Sequence, residues 1–262
     1  MSDATAIAVN PYSAPNSELQ QSVGNTDVIA DPRLAIERGY DFSIGELLSE
    51  AWQKTSGVKG ILWGGFAAIA VVSAAIQLVI QLVGVGIIGV SALGGGASMV
   101  FGIIAVALLS VFLSVVVIYP FLAGSNMIGI RQAAGQPVEF SEMFKHFGRT
   151  LPLFGLGLLI FILSSIGYLL LFIPGLYISV ASILAIPLVV ERKLSAWNAL
   201  LVSCKAINKH WFKVFFLLLS MSLILFVSAL PLGIGLIWTL PMFIVMIGVL
   251  YNRIFGVLPP AA

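Results

Sequence analysis

The sequence predicts an all-α membrane protein with six transmembrane helices, arranged as three hairpins with both termini on the cytoplasmic side. Three observations support this fold class. The chain is 60% hydrophobic and only 9% charged, whereas soluble domains are about 45–50% apolar and about 25% charged. Charged residues are absent from three long stretches, residues 60–130, 150–190 and 214–252. All 13 lysines and arginines lie between or outside those stretches, and short basic segments of this kind are typical of the cytoplasmic side.

Each charge-free stretch is long enough for two membrane spans and the turn between them. A span requires about 20 apolar residues, because about 30 Å of hydrocarbon is crossed at about 1.5 Å per residue. The runs are continuously apolar rather than alternating, which favours helices over a β-barrel. The predicted spans are Val58–Val83, Met99–Leu122, Leu151–Ile173, Leu176–Val190, Val214–Ala229 and Leu232–Asn252.

Three connections between these spans are predicted on the outer side. Gly84–Ser98 is rich in glycine and is expected to form a flexible loop. Pro174-Gly175 and Ala229-Leu230-Pro231 are typical of tight hairpin turns. A proline within or near the end of a span is expected to kink it, because proline lacks a backbone donor; these prolines are Pro120, Pro187 and Pro241.

The six-helix domain is predicted to cover residues 41–256. Residues 1–40 are polar, contain prolines and show little periodicity, so we expect a disordered cytoplasmic tail. Residues 257–262 are expected to form a second, short cytoplasmic tail.

A similar local pattern precedes each charge-free stretch. A large apolar residue and a serine, namely Phe42-Ser43, Phe140-Ser141 and Leu194-Ser195, are followed by a short amphipathic segment. Serine is a favoured helix N-cap, and Ser43 with Glu46 fits a capping box. We therefore predict a cytoplasmic interfacial amphipathic helix before each hairpin. The alternative is coincidence, because serine caps and amphipathic linkers are common.

The run from Phe172 to Phe216 combines a Pro-Gly pair, Pro187, Glu191 and a serine-led helix with Trp211 before the next span. This run resembles a broad group of poorly characterised bacterial inner-membrane proteins. The group includes the membrane domain attached to some glycerophosphodiester phosphodiesterases and the related proteins of the UPF0259 type. The resemblance implies a similar membrane domain over about residues 40–255. The chain has no room for the phosphodiesterase's catalytic barrel, so that activity is not carried over.

Catalytic chemistry is not expected from this sequence. It contains no recognisable paired carboxylates, Ser-His-Asp arrangement, phosphate loop or nucleotide fingerprint, so we predict neither an enzyme nor a cofactor. His146 and His210 have no cysteine or second histidine at ligand spacing, which disfavours a metal site. Cys204 lies on the apolar stripe of the third amphipathic segment and is expected to be a buried small hydrophobe. Palmitoylation or redox chemistry at Cys204 is the alternative.

A polar face within the first span is the main candidate site in the membrane. Gln77 and Gln81 are four residues apart and share one side of a helix with Ser73. The structural interpretation is hydrogen bonding between helices, and the alternative is a pocket for a lipid headgroup or small solute. Because the spans lack ionisable residues, proton-coupled transport through an intramembrane carboxylate is disfavoured.

Basic residues near the fourth and fifth spans are candidate contacts for anionic lipid headgroups. Each such residue contributes about 1 kcal/mol near a charged membrane surface. The alternative is that these residues only reflect the cytoplasmic bias of lysine and arginine. The candidates are Arg192, Lys193, Lys205, Lys209 and Lys213.

The function predicted from these features is that of a non-enzymatic integral inner-membrane protein that organises lipid or assists other membrane components. One alternative is a permease or channel for a neutral or lipidic solute, and another is an accessory subunit of a membrane enzyme. Membrane lipids are the expected partners, together with other membrane proteins or a second copy of the chain. Small residues on the first span would permit either compact packing or self-association. No nucleic-acid partner is expected.

Overall fold

The computed structural model describes residues 31–259, and every regular element in that range is helical. Six helical segments are long and apolar enough to cross a membrane, so the chain has the build of a multi-pass membrane protein. The helices are α1 (Pro32–Arg38), α2 (Ile44–Thr55), α3 (Lys59–Leu93), α4 (Gly96–Ala133), a 3-10 helix (Phe140–Arg149), α5 (Thr150–Leu170), α6 (Phe172–Ala181), α7 (Ala185–Glu191), α8 (Ala196–Asn208), α9 (Trp211–Ala229) and α10 (Leu236–Phe255).

The predicted loop over Gly84–Ser98 is wrong. α3 continues to Leu93 and α4 begins at Gly96, so two residues connect the helices. Gly95 has a φ of +97°, which glycine adopts without the steric cost of a side chain. Gly84, Gly86, Gly89 and Gly96 stay helical because an apolar surrounding offers backbone groups no partners except those within the helix.

The predicted turn at Pro174-Gly175 is also wrong. α5 ends at Leu170, the extended residue Leu171 turns the chain, and α6 already begins at Phe172. Proline is tolerated in the first turn of a helix, where its missing N–H would have no intrahelical acceptor. Pro174 therefore belongs to the start of the fourth span. The third predicted turn does fall between two helices, since residues 230–235 separate α9 from α10.

The fourth span is broken into α6 and α7 at residues 182–184. Pro187 explains the break, because it lacks the N–H that would bond to the carbonyl group of Ile183 in a continuous helix. Ser203 of α8 bridges the gap. Its hydroxyl donates to the carbonyl oxygen of Ala181 at 2.6 Å and accepts from the amide of Leu184 at 3.3 Å.

Both predicted tails are partly ordered. Residues 1–30 and 260–262 lie outside the described range, but α1 falls within the predicted 1–40 tail. Asp31 caps α1 by accepting from the amide of Arg33 at 2.8 Å, and a proline opens the helix. At the other end, Val257 is buried. The predicted six-helix domain, residues 41–256, therefore leaves out α1 and the buried Val257.

The three serine-led segments form helices of two kinds, α2 and α8 being α-helical and the second a 3-10 helix. The capping prediction holds only at Ser195, which accepts from the amide of Asn198 at 3.4 Å. In the described chain Ser43 makes no side-chain capping bond, so the capping box with Glu46 is wrong. Ser141 instead donates to the carboxylate of Glu139 at 2.9 Å.

The core lies where the second half of α4 packs against α10. Gly129 and Gly248 bring the two backbones together, since a Cβ on Gly248 would lie 2.2 Å from the carbonyl oxygen of Gly129. Leu47 and Ala51 of α2 are fully buried, and α2 packs along α10. The apolar side of α2 is therefore covered by protein, whereas the first half of α4 and most of α3 are exposed.

Candidate functional site

A groove of about 650 Å³ lies where the start of α2, the start of α9 and the end of α10 meet. We call it the α2–α9 groove. α9 and α10 supply one cation each, and the segment entering α2 supplies two carboxylates and several backbone groups. The lining residues are Asp41, Phe42, Ser43, Ile44, Gly45, Glu46, Lys213 and Arg253.

The amino end of α2 gives one wall of this groove a positive potential. The first amides of a helix have no intrahelical acceptor, and the helix dipole adds partial positive charge there. Ser43 takes the N-cap position with extended backbone, but its hydroxyl does not cap these amides within the described structure. Ile44, Gly45 and Glu46 line the groove, and their amides have no serine cap.

Both cations of the groove are paired with carboxylates. The ammonium group of Lys213 contacts the carboxylate of Asp41, and the resulting hydrogen bond lowers the pKa of Asp41. Arg253 donates to Glu50 at 2.7 Å. Burial by itself would raise the pKa of Glu50, but hydrogen bonds from Lys54 and Arg253 lower it overall.

An apolar stripe runs along α9, the helix that contributes Lys213 to the groove. Trp211 stacks on Phe215 with ring centroids 5.3 Å apart and on Tyr177 at 5.9 Å, and aromatic clusters of this kind are typical of the membrane–water interface. Five exposed apolar side chains, spaced three or four residues apart, lie on one side of α9 along its length. They are Phe212, Phe216, Leu219, Leu223 and Phe226.

The five basic residues predicted from the sequence are not brought together. Lys213 lines the α2–α9 groove, whereas Lys205 lines a separate cavity of about 210 Å³ beside α1. Lys209 donates to the carbonyl oxygen of Ile36, and Lys193 is exposed. Arg192 is only 2% exposed, so its guanidinium group is turned into the protein rather than towards solvent.

Arg192 belongs to a buried polar network that sequence reasoning missed. Its guanidinium group donates to the carbonyl oxygens of Phe255 and Gly256, each at 2.9 Å, and lies 3.3 Å from Glu191. Glu191 also accepts from the hydroxyl of Tyr251 and from the amide of Leu258. The only sequence signal was the adjacent pair of opposite charges at the end of a charge-free stretch. This network holds the end of α10 and the segment after it.

A second buried carboxylate lies in the 3-10 helix. Glu142 is 2% exposed and lies 3.2 Å from Arg131 and 3.1 Å from Lys145. His146 approaches the same carboxylate at 3.5 Å. These contacts join the 3-10 helix to the end of α4, so Glu142 has a structural role that its place in an amphipathic segment did not indicate.

Of the three polar residues predicted to form one face of the first span, two line the same cavity. Ser73 and Gln77 line a cavity of about 320 Å³ between α3 and α4, and Ser114 of α4 lies on its other side. We call it the α3–α4 groove. Gln81 is exposed on α3 outside that lining. Among residues 31–259 neither Gln77 nor Gln81 has a hydrogen-bond partner.

Comparison with known proteins gives no relative from which a function would follow. No protein-family model matches the chain, and neither does any curated protein or solved structure. The family resemblance over Phe172–Phe216 therefore stays a prediction. The chain's own geometry is the basis for assigning a role.

Proposed function

We propose that this protein is a non-enzymatic integral membrane protein that organises lipid by holding a phospholipid in the α2–α9 groove. One observation supports the proposal most: Lys213, Arg253 and the amino end of α2 line one groove, and α9, which carries Lys213, also has an exposed apolar stripe that begins at Phe212. A phospholipid has matching parts. Its phosphate lies at the membrane interface and suits the cations, and its acyl chains extend into the membrane and suit the apolar stripe.

The phosphate would bind at the positive wall of the groove. Helix N-termini and basic side chains both favour phosphate, the first through free amides and the second through charge-assisted hydrogen bonds. Lys213 is 44% exposed on its side chain, so it is free to turn from Asp41 towards a ligand. The acyl chains would lie along the stripe that begins at Phe212, which is 71% exposed.

The carboxylates of the groove indicate which headgroup suits it. Asp41 and Glu46 line the same cavity as the two cations. A purely anionic headgroup would meet repulsion from them, whereas a headgroup with both a phosphate and an ammonium group would satisfy both signs. We therefore expect phosphatidylethanolamine to bind more tightly than phosphatidylglycerol.

The membrane placement is part of this proposal. Lysine and arginine bias supports an orientation with the groove and both termini on the cytoplasmic side, and the resemblance over Phe172–Phe216 supports a bacterial inner-membrane location. α3 with α4, α5 with α6–α7, and α9 with α10 would then form three hairpins, with α2, the 3-10 helix and α8 near the inner interface. A membrane-impermeant thiol reagent tests this in a Cys204→Ala background. It should label Glu46→Cys only from the cytoplasmic side and Ala92→Cys only from the outside, and the reverse pattern would overturn the orientation.

Native mass spectrometry of the purified protein titrated with single lipids tests the function. Lys213→Gln removes one exposed cation from the groove, and Lys193→Gln is the matched control because Lys193 is exposed away from it. A charge-assisted hydrogen bond is worth about 1.5–3 kcal/mol, so Lys213→Gln should weaken phosphatidylethanolamine binding about tenfold or more. Equal binding by both variants and the unchanged protein would refute the proposal.

A further inference from the structure

Two glutamine side chains lie on the exposed side of α3 near its middle. Gln77 is 18 residues from Lys59, where the helix begins, and Gln81 follows one turn later. Both are exposed, although every residue from 60 to 93 is uncharged. When both ends of a long apolar helix reach the membrane surfaces, its middle lies nearest to the centre of the bilayer. In a single copy of the chain both carboxamides therefore face hydrocarbon.

An unpaired amide is costly in that position. Moving an amide from water to a hydrocarbon environment without a hydrogen bond is unfavourable, because its bonds to water are lost and not replaced. Acyl chains offer neither donors nor acceptors, and the described residues of the chain supply no partner for either glutamine. The two side chains therefore require a partner from outside residues 31–259.

The chemistry of the carboxamide group indicates what that partner is. Each carboxamide has two donors and an acceptor oxygen, so it complements another carboxamide. A lipid phosphate is a poor fit, because the only charged residue of α3 is Lys59, about 27 Å along the helix from Gln77 at 1.5 Å per residue. A second copy of the same helix face would supply matching groups at matching depth.

Small side chains on the same face would permit close approach of such a copy. Ala67, Ala70 and Ala74 are exposed on the side of α3 that carries Gln77 and Gln81. Their spacing alternates between three and four residues, as in a helix–helix seam. Ala70 and Ala74 form a pair of small residues four apart, the pattern enriched at transmembrane helix contacts.

We propose that α3 pairs in parallel with α3 of a second copy of this chain, with Gln77 and Gln81 hydrogen-bonded across a twofold axis. A twofold interface uses the same patch on both subunits, so each glutamine level meets its own counterpart. Ser114, across the α3–α4 groove from Gln77, lies where it would border the incoming helix. The pairing is independent of lipid binding in the α2–α9 groove, which is formed by other helices.

Disulfide crosslinking in native membranes tests which side of α3 meets the second copy. In a Cys204→Ala background, Ala74→Cys places a thiol on the proposed seam, and Val79→Cys places one on the opposite, exposed side of α3. Oxidation should give a covalent dimer with Ala74→Cys and little with Val79→Cys. Equal crosslinking at both positions, or none at either, would overturn the proposal.

Förster transfer between labelled copies of the protein tests whether the glutamines stabilise the dimer. It is measured in liposomes at decreasing ratios of protein to lipid. Hydrogen bonds between membrane helices average about 0.6 kcal/mol, so losing two of them in Gln77→Leu/Gln81→Leu should weaken dimerisation about eightfold. Gln53→Leu on α2 is the control and should leave the dissociation constant unchanged. A monomeric unchanged protein, or a double variant that dimerises as tightly, would contradict the proposal. Thermal unfolding of the double variant verifies that it is folded.

Discussion

The carboxylate of Glu191 and the hydroxyl of Tyr251 are hydrogen-bonded to each other across 60 residues of sequence. Glu191 ends α7 and Tyr251 lies in the last part of α10, so the bond joins the third charge-free stretch to the second. Arg192 adds its own bonds to the carbonyl groups after α10. A buried ion pair thus fixes the helix that supplies Arg253 to the α2–α9 groove.

Glu191→Gln should destabilise the protein strongly. Removing one partner of a buried ion pair costs about 3–5 kcal/mol, because the remaining charge is left uncompensated. Tyr251→Phe removes one hydrogen bond to the carboxylate and should cost about 1–3 kcal/mol. Thermal unfolding in mild detergent measures both. Glu37→Gln, on the exposed surface of α1, is the control, and equal midpoints for all variants would show that the network contributes nothing.

Ser203→Ala should destabilise the break between α6 and α7. The hydroxyl of Ser203 satisfies a carbonyl group on one side of the break and an amide on the other, and leaving a buried polar group unpaired costs about 1–3 kcal/mol. The matched control is Ser222→Ala, at an exposed position of α9. Chemical denaturation followed by tryptophan fluorescence gives the comparison. A loss no larger than that of the control would mean that the break does not depend on Ser203.

Gly248→Ala should disrupt the contact between α4 and α10. The added methyl group would lie 2.2 Å from the carbonyl oxygen of Gly129, so the two helices would have to separate. Overpacking of this kind costs about 1–3 kcal/mol or more. Gly60→Ala in α3 is the control, because nothing lies within 4 Å of the added methyl group there. Thermal midpoints that fall equally in both variants would argue against a close backbone contact.

Acid should weaken the attachment of α2 to α10. The pKa of Glu50 is lowered in the folded protein, so its pairing with Lys54 and Arg253 stabilises the fold fully above the ordinary glutamate pKa of about 4.3. That stabilisation is lost as the pH falls from there through the lower folded-state pKa. The thermal midpoint should drop over this range, and Glu50→Gln should reduce the drop. An identical pH profile for the variant would contradict the assignment.

The number of long apolar segments followed from the charge-free stretches, because length and hydropathy alone decide whether a helix can cross a membrane. Their ends did not follow. Glycine predicted a loop over Gly84–Ser98, yet that segment is helical except at Gly94-Gly95. Proline predicted a turn at Pro174, yet Pro174 lies within α6. Turn propensities reflect competition with water, and a backbone surrounded by apolar groups has no such competitor.

The candidate site was less predictable, because its parts are far apart in sequence. Lys213 was a candidate from the sequence, but its neighbours Asp41 and Arg253 join it only through the packing of α2 against α10. Helical periodicity, a local property, predicted one polar side for Ser73, Gln77 and Gln81, and in the structure Ser73 and Gln77 line the same groove. Gln77 lines a groove and Gln81 does not, because α4 packs near one of them and not the other. Local periodicity in α3 gives no information about the position of α4.

Photo-crosslinking tests lipid binding in the α2–α9 groove. A phosphatidylethanolamine carrying a photoactivatable group near its phosphate would be incorporated with the unaltered protein into lipid nanodiscs, irradiated and mapped by peptide mass spectrometry. If phosphatidylethanolamine binds in the groove, adducts should be concentrated in residues 41–46 and 212–216 and should be reduced by excess unlabelled phosphatidylethanolamine. Adducts spread along the helix ends without competition, or concentrated elsewhere, would contradict lipid binding in the α2–α9 groove.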